Sequence, residues 1–176
     1  MPASSRFAIA VHVLALMAKT GDEPVKSDFV ALSVNTNPVV IRRILCSLQR
    51  ASLVTSQTGA AGGSRLARAA DEITLLEVYR AVEKGHLLSL HRQRPNPRCP
   101  VGMNIKGVLN RILSEAEAAF EGVLAEITVN AVLRALRPRS GKGEGKRDDA
   151  ASFTNIRRHQ QRAGRCAHRR GRIQRP

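Results

Sequence analysis

Aromatic residues are scarce in this chain, with no tryptophan, one tyrosine and four phenylalanines among 176 residues. Base-stacking platforms for single strands are built from such rings, so their shortage counts against an RNA-binding or ribosome-associated basic protein. Cysteine is rarer still. Cys46, Cys99 and Cys166 lie too far apart for a CxxC or zinc spacing, and no metal site is expected. The apolar run Phe7–Ala18 is too short to span a bilayer and has no clear cleavage site. It predicts a first helix rather than a leader, with His12 as a packed or half-exposed core histidine. With no other run of spanning length, no membrane partner is expected and the chain is placed in the cytoplasm. None of His12, His86, His91, His159 and His168 is paired with a nucleophile, and hydrolase and kinase motifs are absent, so no enzyme is expected.

Acidic residues are also in short supply: 14 against 29 lysines and arginines, a net charge of +15. That balance implies a polyanionic partner. The charge is uneven. Residues 1–138 carry 17 basic and 11 acidic residues, whereas residues 139–176 carry 12 and 3. The latter stretch combines a linker-like SGKGEGKRDD with an arginine-rich end, and predicts a basic, disordered tail that adds nonspecific attraction to phosphates.

The most informative stretch is TNPVVIRRILCSLQRASLVTSQTGAAGGSRLAR, residues 36–68. Asn37 followed by Pro38 predicts a helix start, and Ile41, Ile44, Leu45 and Leu48 then form one apolar stripe. Ser27 is expected to cap a short preceding helix through Leu32, with Asn35 in the turn. Two short helices so joined form a helix-turn-helix whose second helix reads a major groove from its N-terminal residues. Those are Thr36, Asn37, Val39, Val40, Arg42 and Arg43. Leu53–Ser56 has strand composition, Gly59, Gly62 and Gly63 permit a tight reversal, and Arg65 and Arg68 follow on the returning side. The glycines lack the G-K-[ST] ending of a nucleotide loop. The layout is that of a DNA-reading helix followed by a wing.

The wing motif S-x-x-G-x-x-G-G-x-x-L-A at Ser56–Ala67, with SRFAIAVHVLALMA and IRRILCSLQRASL before it, resembles the Rrf2 family of winged-helix transcriptional regulators across residues 4–136. The resemblance implies a homodimeric repressor or activator bound to double-stranded DNA, with the recognition helix in the major groove and Arg65 and Arg68 near the minor groove. Ser52 stands where that family usually has a helix-ending glycine. Many relatives hold an iron-sulfur cluster through three cysteines in the loop before the dimer helix. Here that loop has only Cys99, which cannot hold a cluster, so no cofactor is expected and the chain resembles the cluster-free branch.

The predicted fold is mainly α with a small β-hairpin wing: a winged helix-turn-helix over residues 1–84, a connecting loop over 85–100, and helices over 101–138. Thr74 and Glu77 have capping-box spacing, and Gly85 is expected to end the helix that they start. Ile105, Leu109, Ile112, Ala116, Ala119, Val123 and Ile127 recur at spacings of three and four, a coiled-coil-like seam. It is assigned to dimerisation, the family's use of this helix, over packing on its own domain. Thr128 should cap a last helix that docks Val129, Val132, Leu133 and Leu136. Cys99, beside Arg98 and just before a helix, is read first as a loop cysteine with a packing role, with a sensor thiol as the alternative that its position allows. Nothing in the sequence names a small-molecule effector.

Overall fold

A computed structural model describes residues 5–59, 62–83, 85, 90–91 and 93–136. The expected basic tail, Cys166 and the wing-tip residues 60–61 lie outside the described residues. In chain order the elements are α1 (Arg6–Thr20), α2 (Ser27–Val34), α3 (Pro38–Arg50), β1 (Val54–Gln57), β2 (Gly63–Leu66), α4 (Leu75–Val82), α5 (Pro100–Glu126) and α6 (Val129–Ala135). The described architecture is mostly helical, with one two-stranded antiparallel hairpin.

The core forms around α1, whose Ala10, Val13, Leu14 and Met17 have no exposed surface. Phe29 and Val30 of α2, the full stripe Ile41, Ile44, Leu45 and Leu48 of α3, and Val78 and Val82 of α4 pack into the same cluster. His12 sits on the exposed side of α1, where its Nε2 lies 3.1 Å from Ser33 Oγ. It is a surface histidine rather than a core one, because the residues at its sides in the sequence already fill the buried faces.

Helix ends decide the geometry of the helix-turn-helix. Asn35 takes the left-handed conformation at φ 55°, and the Asn35 and Thr36 amides donate back to Leu32 and Ala31 carbonyls. This closure satisfies carbonyls that would otherwise be orphaned at the end of α2. Two residues later the Asn37 side chain accepts from the Val39 amide at 2.8 Å, and Pro38 opens α3. Ser27 does not cap α2, contrary to expectation. The capping position falls on Lys26 without a side-chain bond, and the helix continues to Val34. The Ser27 hydroxyl instead accepts from Arg42 Nε at 3.4 Å.

The end of α3 repeats the closure, with Ser52 donating to Gln49 and Leu53 to Leu48, and it places Ser52 at φ 56°. A side chain in that region costs about 1–2 kcal/mol, which explains why glycine is the usual occupant. The chain then enters the hairpin, in which Val54 faces Leu66, Thr55 faces Arg65, Ser56 faces Ser64 and Gln57 faces Gly63. Val25, just before α2, pairs with Ser64 through bonds of 2.8 and 2.9 Å. The wing is therefore tied to the entrance of the helix-turn-helix. Gly62 and Gly63 serve close approach: an added Cβ would meet the Gln57 carbonyl at 2.3 Å or Pro24 at 3.0 Å.

The capping box of α4 is complete, with Thr74 and Glu77 each accepting from the other's backbone amide. Gly85 does not end this helix. Glu83 occupies the cap in an extended conformation, and Gly85 lies two residues beyond at φ 105°. The C-terminal end of α5 is held by Phe7, Tyr79 and Phe120, stacked edge to face at 5.7 and 5.2 Å, and by Arg80–Glu121 at 2.6 Å. Backbone bonds from Leu75 to Ile127 and from Val129 to Ile73 close the joint. Thr128 caps α6 through the Ala131 amide, and Val129 is fully buried. Leu136, expected to dock, is instead 68% exposed.

Ser52→Gly should raise stability by about 0.5–1 kcal/mol, the left-handed penalty less the larger unfolded-chain entropy of glycine. Urea denaturation with an unchanged m-value would read this directly. A loss of stability would mean that the Ser52 side chain makes a contribution exceeding the backbone cost.

Candidate nucleic-acid interface

At the cap and on the first two turns of α3, Asn37, Val39, Arg42 and Arg43 are exposed, and Thr36 just before the cap is half-buried. Val39 keeps 47% of its surface in solvent, exposed along with these polar residues at the entry into α3. Val40 differs from its neighbours, because it packs against the core and is partly buried. It supports the helix from behind more than it faces outward.

Arg42 is steered by the neighbouring helix: its Nη2 lies 3.4 Å from Asp28 Oδ1, and both side chains remain mostly exposed. A pair this open contributes little to stability. Its consequence is directional, since it holds a guanidinium over the face that joins α2 to α3. Arg43 has no partner among the described residues.

On the wing, Arg65 is exposed and its Nη2 donates weakly to Gln57 Oε1 at 3.4 Å across the hairpin. Arg68 is used differently. It donates to Glu77 Oε1 at 2.8 Å and to the Glu72 carbonyl at 3.5 Å, so it braces the start of α4 instead of extending with the wing. Sequence reading missed Asp28, Gln57 and Glu77 as partners because they lie 8 to 14 residues away from the arginines that they hold. A count of acids near each arginine in the chain carries no such information.

Burial acts to raise the pKa of Glu77. The bond from Arg68, the Thr74 amide, the Arg68 charge and the Thr74 hydroxyl together outweigh it and hold the carboxyl below its ordinary value of 4.5. These are the groups of the capping box, so the box and the arginine reinforce one another.

The seam on α5 divides in two. Ile112, Ala116, Ala119 and Val123 are exposed, Ile105 and Leu109 are half-buried, and Phe120 and Leu124 on the neighbouring face carry the contact with the rest of the chain. Ile127 leaves the seam. It lies one residue past the helix, its carbonyl accepts from Leu75, and its side chain packs on the core. Leu124 is the only buried residue among the 27 of α5. Val101, Met103, Val108, Ile112 and Val123 supply five of the eight large apolar side chains exposed among the described residues.

Cys99 occupies the capping position of α5, exposed and without a side-chain bond to the helix. Cys46 is exposed on α3. No trio of His, Cys, Asp or Glu among the described residues is arranged to hold a metal, and no described helix is long and apolar enough to cross a membrane.

A capped helix-turn-helix followed by a hairpin bonded to its entrance defines a winged-helix protein. The chain belongs to the Rrf2 family, whose model, described as an iron-dependent transcriptional regulator, matches residues 3–135. It is a regulator of transcription and not an enzyme. It is 42% identical over 133 residues to the provisionally named HTH-type transcriptional regulator YwnA of Bacillus subtilis (strain 168), covering 76% of this chain and 98% of that protein. Protein aau3 of Rhizobium meliloti (strain 1021) is 32% identical over 126 residues, 72% of this chain and 80% of its own. Among solved structures, one provisionally assigned as a DNA-binding protein shares 39% identity with a TM-score of 0.61, covering 73% and 99% of the two chains. IscR of T. potens, at 22% identity, a TM-score of 0.61 and coverages of 81% and 94%, shares the fold. Among the described residues, the start of α5 offers one exposed thiol, a single ligand where the iron-sulfur cluster of an iron-dependent regulator takes several.

Because the folded pKa of Glu77 is depressed, its stabilising contribution is complete above the unfolded value and is lost as pH falls through the folded value. Glu77→Gln should therefore flatten the decline in stability below about pH 4.5, read from thermal melts across an acid series. An unaltered acid limb would mean that other carboxylates control it.

Proposed function

We propose that this regulator binds a pseudo-palindromic DNA operator as a homodimer, using α3 as the recognition helix and the β1–β2 hairpin as the wing. The observation that carries the reading is the first half of α3: a capped, core-anchored helix end that leaves Asn37, Val39, Arg42 and Arg43 exposed. A helix of this kind presents its N-terminal side chains to base edges and its cations to phosphates or guanine. Arg65 is the wing residue for the minor groove. Arg68 takes a secondary part, because it is already bonded to Glu77.

The dimer reading rests on the apolar side of α5, where Ile112, Ala116, Ala119 and Val123 are exposed and Ile105 and Leu109 are half-buried. Ile105, Leu109, Ile112, Ala116, Ala119 and Val123 form the proposed seam, and a second α5 would remove it from water. Two recognition helices related by a twofold axis would then meet major grooves about 34 Å apart. The RNA-binding alternative receives no support from the surface. Phe7, Phe29, Tyr79 and Phe120, the aromatics of the described residues, are all buried in or against the core, where they cannot stack bases.

An operator selected from random DNA makes both halves of the reading measurable. At fixed salt, Arg43→Ala should cost about 1–3 kcal/mol of binding, and Arg65→Ala should weaken binding while sedimentation still gives a dimer. Unchanged affinity in both variants would remove α3 and the wing from DNA contact. Ile112→Asp should give monomers, since it sets a charge in the apolar seam; a persisting dimer would assign that stripe to some other contact.

A further inference from the structure

Between Glu83 and Glu115 the chain has no acidic residue, while Lys84, Arg92, Arg94, Arg98, Lys106 and Arg111 contribute six positive charges. This is the stretch that would have to supply the ligands of a metal cluster, and its chemistry is the opposite of a cation site. Part of it encloses a surface cavity of about 500 Å³ between the loop and the first turns of α5. His91, Gln93, Arg94 and Lys106 line it, and Leu90, Pro95, Pro97 and Met103 form its apolar walls.

Among the described residues no carboxylate lines the cavity, and neither Arg94 nor Lys106 has an ion-pair partner. Elsewhere in the chain, Arg42, Arg68 and Arg80 each meet an acid. The wall is fixed by close packing. A Cβ on Gly102 would meet the Asn96 carbonyl at 2.4 Å. The Asn96 side chain also accepts from the Arg98 amide at 2.9 Å, and its carbonyl accepts from the Cys99 amide at 3.2 Å. Loop and helix therefore meet at a set distance before anything binds, which limits the ordering cost of an occupant.

We propose that this cavity is a binding site for a small organic anion, its carboxylate or phosphate held by Arg94, Lys106 and His91 and its apolar body against Leu90, Pro95 and Met103. Like charges gathered on a concave wall raise the local concentration of a counter-charged ligand, and guanidinium and ammonium groups supply charge-assisted hydrogen bonds. The volume suits a molecule of metabolite size. The site shares no residue with the proposed DNA surface and does not depend on that reading.

Calorimetric titration of the full chain without DNA provides the test, using matched probes: phenyl phosphate and benzoate against phenol and benzamide. The anionic probes should bind and the neutral ones should not. In the double variant Arg94→Gln, Lys106→Gln the dissociation constant for the anions should rise roughly tenfold or more, with the melting temperature of the free protein unchanged. Equal behaviour of charged and neutral probes, or undiminished anion binding by the variant, would overturn the proposal. So would a variant whose only change is weaker DNA binding with a shallower salt dependence, because the cations would then serve DNA phosphates.

Discussion

The burial of α1 is the constraint on which the rest of the structure depends. Ala10, Val13, Leu14 and Met17 are wholly removed from solvent, and the helix is touched by α2, α3, α4, α6 and β2. Burying such side chains contributes about 1.5–3 kcal/mol for each large one, and this is the main term that opposes the cost of ordering a small domain. Because one helix supplies the common surface, the helix-turn-helix, the wing and the C-terminal helices are held in one frame. A recognition helix can be aimed only when such a frame exists.

Within that frame, polar groups at helix ends set the angles. The left-handed closure at Asn35 and the Asn37 cap fix the turn between α2 and α3. Ser52 performs the same closure at the end of α3, with backbone strain where glycine would have none. The Thr74–Glu77 box starts α4 and takes in Arg68 from beyond the wing. These bonds are individually modest, about a kcal/mol for a cap. They matter more for direction than for total stability, since each removes alternative paths by which the chain could leave a helix.

The other half of the molecule follows a different logic. Helix α5 is pinned at its C-terminal end by the Phe7–Tyr79–Phe120 stack and the Arg80–Glu121 pair, while most of its apolar side chains remain exposed. A long helix with one buried residue gains little from its own chain. Its uncovered stripe and the cationic cavity at its start are adjacent features of one element. The first calls for apolar cover and the second for negative charge, and neither is needed to complete the core.

The sequence by itself determined which segments become helix and hairpin and which faces are apolar. The stripe Ile41, Ile44, Leu45 and Leu48, the Asn37 and Thr128 caps and the Thr74–Glu77 box were all legible, because each is a relation between residues within a turn or two. The wing was legible from its glycines, although the reason for Gly62 and Gly63, contact with Gln57 and Pro24, was not. Tertiary structure alone decided matters between distant residues: that Arg68 is bound to Glu77 while Arg65 stays outward, and that Val40 backs the core beside exposed Val39. It likewise decided that Ile127 joins the body and that Arg94 and Lys106 share a cavity. Periodicity reports that a face must be buried or a charge satisfied; the partner is chosen in three dimensions, where packing and ion pairing act across any distance in sequence.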